Sequence, residues 1–219
     1  MRKASIAFMT LLVMSIGIPA ALAGHDNNPS ERVRSYEYTL DGVANNTDAS
    51  GTVRLTALPN GKVQVKVRVD GLAPNLPHAQ HLHGVTNESG SFVAGACPTI
   101  ADDGNRSQPV DGLINTLEGV DAYGFVRASL TTTGDVSPGS ALAVDRFPVA
   151  DQNGTLRYSR TFTPADPAVW EALGALEVVV HGIDLNGNGS YDFESGPSSL
   201  STDFPLEAVI PAVCGGPGN

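Results

Sequence analysis

Lys62-Val63-Gln64-Val65-Lys66-Val67-Arg68-Val69 alternates without a break between hydrophilic and branched apolar side chains. Successive residues of a strand point to opposite faces, so this spacing puts four valines on one face and four hydrophilic chains on the other. A helical period would scatter the valines around the axis. The segment is therefore predicted as a β-strand with one face in a core and the other in water. Pro59-Asn60-Gly61 precedes it and joins it to Thr52-Val53-Arg54-Leu55-Thr56-Ala57. That pairing is predicted as a hairpin.

Outward from this hairpin, short β-like runs recur between clusters of Gly, Pro, Asn and Asp. They cover 33–40, 78–83, 123–130, 141–147, 155–163, 175–181 and 205–210, with Asn153-Gly154 as a second hairpin turn. One helix is expected, over Ala168–Leu173, after the capping pair Asp166-Pro167. Segments 84–122 and 182–204 are rich in Gly, Asp, Asn and Ser and are expected as long loops. Loops of that length in a compact β domain are usually functional or anchored. The expected fold class is all-β, a sandwich with two large loops.

At the N-terminus, Arg2 and Lys3 precede an apolar stretch from Ile6 to Ile18, and Ala21-Leu22-Ala23 follows as a small-x-small cleavage site. That order marks residues 1–23 as a secretory signal peptide. The stretch is short of the roughly 20 apolar residues needed to span a bilayer. Removing 23 of 219 residues leaves 196, the size of one domain over 32–219 behind a flexible polar lead at 24–31. Arg2 and Lys3 leave with the signal and no acid does, so the formal charge goes from -10 to -12. Such a charge argues against nucleic acid or anionic membranes as partners, and the expected location is secreted or extracytoplasmic. Cys97 and Cys214 are the only cysteines. An even count in an oxidising compartment is expected to form a disulfide; a metal pair is the alternative, but neither has a CxxC neighbour.

Three of the five histidines lie in Leu76-Pro77-His78-Ala79-Gln80-His81-Leu82-His83-Gly84, and His181 ends the run Leu176-Glu177-Val178-Val179-Val180. Residues i and i+2 of a strand share a face, so His81 and His83 present two imidazoles side by side. His181 would supply a third if its strand lies nearby. Imidazole donors suit copper or zinc.

These stretches resemble the copper/zinc superoxide dismutases. Gly71 to His83 is similar to their turn into a His-x-His copper motif, Val178-Val179-Val180-His181-Gly182 to their last copper-ligand strand, and Val213-Cys214-Gly215-Gly216 to the segment of their second disulfide cysteine. Cys97 lies in the loop that carries their first. The chain also looks like the chordin-type (CHRD) domains of bacterial exported proteins. The resemblance implies a Greek-key β-sandwich or barrel, a copper site of His81, His83 and His181, and His78 as support behind the ligands. The departures are specific. Between Cys97 and His181 there is no histidine, and Asp102 and Asp103 alone make a poor zinc site, so no zinc is expected. Where the enzymes place a guiding arginine, three residues before the last cysteine, this chain has Pro211. Copper binding with weak or no dismutase activity is the expectation; a non-enzymatic CHRD-like module is the alternative.

Directly after His181, Asp184-Leu185-Asn186-Gly187-Asn188-Gly189-Ser190-Tyr191-Asp192 forms a D-x-N-x-N-G-x-x-D pattern. Oxygen donors at 1, 3, 5 and 9 with glycine at 6 suit a hard Ca²⁺ ion, so Asp184, Asn186, Asn188 and Asp192 are candidate calcium ligands. Ser195 stands where a bidentate glutamate would complete an EF-hand loop.

Overall fold

A computed structural model of the chain describes residues 32–45 and 48–219. The expected signal peptide at 1–23 and the polar lead at 24–31, which includes the fifth histidine, His25, lie outside the described residues. The predicted hairpin is present. Strand β2 (Ser50–Leu58) pairs antiparallel with β3 (Lys62–Asp70), Val53 opposite Val67 and Leu55 opposite Val65. Asn60 and Gly61 turn the chain with φ of 63° and 73°, which asparagine and glycine tolerate best. Val63, Val65, Val67 and Val69 are buried, as the alternation requires.

The remaining strands are β1 (Arg34–Gly42), β4 (Gln80–Thr86), the two-residue β5 (Phe92–Val93), β6 (Phe125–Ser129), β7 (Leu156–Phe162), β8 (Glu177–His181) and β9 (Pro211–Gly215). They form one antiparallel sheet in the order β7-β3-β2-β1-β9-β8-β4, with β5 and β6 both pairing β4. From β3 the chain crosses to β4, returns from β6 to β7 beside β3, and crosses again to β8 beside β4. These non-sequential connections make a Greek key. The sheet curls so that Val53, Leu55, Val63 and Val65 from one half share a core with Leu82, Ala128, Val178 and Val180 from the other. Past β6, Thr131 accepts bonds from Tyr158 and Arg160 of β7, which ties the two edges by side chains. The all-β expectation holds, and Cys97 and Cys214 form the expected disulfide across 117 residues.

Three expectations are corrected. Residues 141–147 make no strand; 3-10 turns at Pro138–Ser140 and Val144–Arg146 fold this segment over the outer face of the sheet. Asn153-Gly154 is accordingly a turn, closed by Gly154 N–H to Asp151 O, without a strand before it. Residues 205–210 hold the short helix α3 (Leu206–Val209) after Pro205, with the last strand moved to Pro211–Gly215. Besides the expected helix, found as α2 (Pro167–Glu171) with Asp166 as cap, loop 84–122 contains α1 (Thr116–Tyr123). Its capping box, Asn115 to the Glu118 N–H and Glu118 back to the Asn115 N–H, was legible in sequence spacing.

The curl decides where the site lies. In β4 and β8 the residues Leu82, Val178 and Val180 face the core, so His81, His83, Glu177, Val179 and His181 face outward. That outer face is covered by the long loops, which is why every residue of β8 is buried.

Candidate metal centre

Strands β4 and β8 pair directly, His81 opposite Val179 and Gln80 opposite Val180. At His181 the sheet shifts register, and its N–H donates to Ala79 O at 2.7 Å. The three imidazoles meet, with ring centroids 5.1 Å apart for His81 and His181, 5.6 Å for His81 and His83, and 5.9 Å for His83 and His181. One nitrogen from each lies within 4.8 Å of the other two. None of the three residues is more than 4% exposed.

Each ring is held by its other nitrogen. His81 Nε2 donates to Ala141 O (3.1 Å), His83 Nδ1 to Gly124 O (2.9 Å), and His181 Nδ1 to Val209 O (2.7 Å). A carbonyl oxygen only accepts, so these contacts place a proton on the bonded nitrogen and a lone pair on the opposite one. The nitrogens left are His81 Nδ1, His83 Nε2 and His181 Nε2, and all three are buried without a hydrogen-bond partner. Buried polar atoms are nearly always paired, and these three unpartnered nitrogens converge on one point where they could hold a metal ion. The residues fit a metal ion.

Burial keeps the rings neutral. It lowers the pKa of His83 to about 3, with His181 and Arg127 adding to the effect, and that of His181 to about 4. His81 is lowered well below the ordinary value, first by burial and then by its two neighbours. The cavity among them is about 30 Å³, lined by Thr116, Val126, Ala141, Leu142, Leu200 and Val209 besides the histidines. That is room for about one small ion or one water, behind an apolar seal.

His78 is fully buried, with Nδ1 2.9 Å from His181 O and Nε2 3.0 Å from Ala73 O. It steadies the backbone of a candidate ligand, while the ligand rings are steadied by carbonyls. Tyr123, unremarked in sequence, stacks edge-on against His83 at 4.5 Å and donates its hydroxyl to Thr116 O. Pro211 lies beside His181 in the sheet, so no side chain there carries positive charge. Asp102 closes a cap on Thr99 and Asp103 accepts from the N–H groups of Asp111 and Gly112, and among the described residues neither belongs to a group placed to hold a metal ion.

The candidate calcium residues are also brought together. Asp184 accepts from the N–H groups of Gly187, Asn188 and Gly189, while Asn186 and Asn188 donate to Asp192. Glu194 joins them through Asn186. Glu207 of α3, a lone acid with no sequence signal, anchors the loop from below by accepting from Leu185, Asn186 and Asp192. These carboxylates serve the loop's own N–H groups, and the loop closes on them. Among the described residues no helix is long and apolar enough to cross a membrane.

No family model matches the chain, and no curated protein matches it. Among solved structures, a crystal structure of the clock protein EA4 is similar over 83% of this chain and 91% of that one, with 14% identity and a TM-score of 0.38.

Proposed function

We propose that this chain is an exported copper-binding protein that holds one copper ion between His81, His83 and His181, with little or no superoxide turnover. The observation that carries this reading is the set of three buried, unpartnered nitrogens whose opposite nitrogens are each committed to a carbonyl. The donors are three neutral imidazoles in a dry site. A monovalent ion costs less to bury there than a divalent one, since no carboxylate is among the donors. Zinc generally takes a fourth ligand, and the cavity leaves little space for one. Copper supplies one-electron chemistry by cycling between its two common oxidation states. The apolar seal and Pro211 argue against rapid entry of an anionic substrate, and the charge of the chain, -10 over its full length, repels one. Holding or handing on copper fits these features better than turnover.

A calcium-stabilised, non-enzymatic module is the second reading, favoured by the gathering of Asp184, Asn186, Asn188 and Asp192 in one loop. Elemental analysis of the protein from its native compartment, with a copper titration of the metal-free form, separates the two. One copper per chain, lost in His181→Ala and in the His81/His83 double alanine variant, is the expected result. Copper binding equally weak in wild type and double variant, with calcium present, would replace the first reading by the second.

A further inference from the structure

A second cluster lies on the same outer face of β8, toward its other end. Glu177 is fully buried, yet neither of its carboxylate oxygens has a hydrogen-bond partner of normal geometry. Its carboxylate and the sulfurs of Cys97 and Cys214 lie within 4.8 Å of one another. Val179, Tyr123, Val120 and Val43 pack around Cys214, while Glu177 sits opposite His83 across the sheet.

The chain is shaped around the carboxylate. Gly216 crosses directly over it, where a Cβ would collide with Glu177 Oε2, and a Cβ at Gly95 would come within 3.3 Å of its Cγ. Asn219 covers the half-buried Cys97, donating to its sulfur (2.7 Å) and accepting from its N–H (3.0 Å). The nearby N–H groups of Gly218 and Gly95 fall short of normal hydrogen-bond geometry, and the disulfide offers no donor, so the buried carboxylate is costly. Once the disulfide is open, the same geometry presents two thiols and a carboxylate to one point.

We propose that Cys97, Cys214 and Glu177 form a redox-gated binding site for a thiophilic divalent cation of the Zn²⁺ class, closed while the disulfide is intact and opened by reduction. An external dithiol opens it. The dithiol gives up two electrons and two protons and becomes a disulfide, while the Cys97–Cys214 bond breaks and takes them as two thiols. The cation then displaces the two thiol protons to solvent, together with the proton of Glu177 where it holds one, and binds two thiolates and the carboxylate. Two sulfurs and an oxygen suit zinc or cadmium, with the fourth position reached from the half-exposed side of Cys97.

Cadmium tests this, because thiolate-to-cadmium charge transfer absorbs in the ultraviolet and imidazole ligation adds none. The full mature protein is reduced with dithiothreitol, desalted without oxygen, checked for two free thiols and titrated with Cd²⁺ alone. The expected result is one equivalent with charge-transfer absorption in the reduced protein, none in the oxidised protein, and none in Cys97→Ser. Loss of an outer partner of a metal ligand typically costs 10–100-fold, so Glu177→Gln is expected to weaken binding at least about tenfold. Oxidised Glu177→Gln should keep the wild-type circular dichroism spectrum. Absence of the absorption in the reduced wild type overturns the proposal. So does equal affinity in wild type and Glu177→Gln, the result a reduced and unfolded chain would give.

Discussion

At His81 the ring bonds a carbonyl through Nε2 and frees Nδ1, while His83 and His181 bond through Nδ1 and free Nε2. Period-2 spacing announced that His81 and His83 share a face, and the resemblance named His181. Neither told which nitrogen each ring would offer, because the acceptors belong to residues 28 to 60 positions away by chain. Burial adds a pH signature. Free imidazole near pKa 6.5 would lose metal to protons just below neutrality. Here the folded values are depressed, to about 4 for His181 and about 3 for His83, so neutral rings persist well below pH 6. Copper affinity, measured by competition with a chelator corrected for its own protonation, should change little from pH 7 to 5 and fall as pH drops through about 4. A tenfold loss for each pH unit already between 7 and 6 would mean that the rings titrate like exposed histidines. Glu177 is shifted the opposite way. Burial pushes its carboxyl up to about 7, against the pull of nearby N–H groups from Gly218 and Gly95.

At the scale of elements, the hairpin and most strands were legible because their alternation is local. The segments misread or missed were 141–147, 205–210 and α1. These are the pieces that supply Ala141 O, Val209 O and, just after α1, Gly124 O to the three histidines. The first two leave the expected strand geometry and the third replaces an expected loop with a helix, and in each case a carbonyl points inward at the site; a tertiary demand of that kind overrides local propensity. Gly124 is the sharpest case. Its φ is +81°, and a Cβ there would strike the backbone of Gly84 and come within 2.5 Å of Val85 N. Gly124→Ala is therefore expected to push the loop away from β4, take the carbonyl from His83, and lower copper affinity by about 10–100-fold. Isothermal titration checks this against Gly187→Ala, at a glycine with open space for a Cβ, as the control for strain at positive φ alone. Equal affinities in the two variants would show that the Gly124 carbonyl does not orient the ligand.

At the scale of the whole molecule, the curled sheet supplies a rigid outer face and the long loops turn it into an interior. The disulfide pins loop 84–122 to β9 and, in the chain-entropy model, contributes about 4–5 kcal/mol through its 117-residue span. The cysteine count foretold the disulfide and composition the loops' length, but neither told that the loops would bury the histidines under Leu142 and Leu200 and leave space for one small ion. The most direct test of the central claim is X-ray absorption at the copper edge of the loaded, reduced protein. Three imidazole nitrogens with no sulfur and no added oxygen shell are predicted. Sulfur in the shell, or fewer than three imidazoles, would contradict the assignment of His81, His83 and His181 as the copper site.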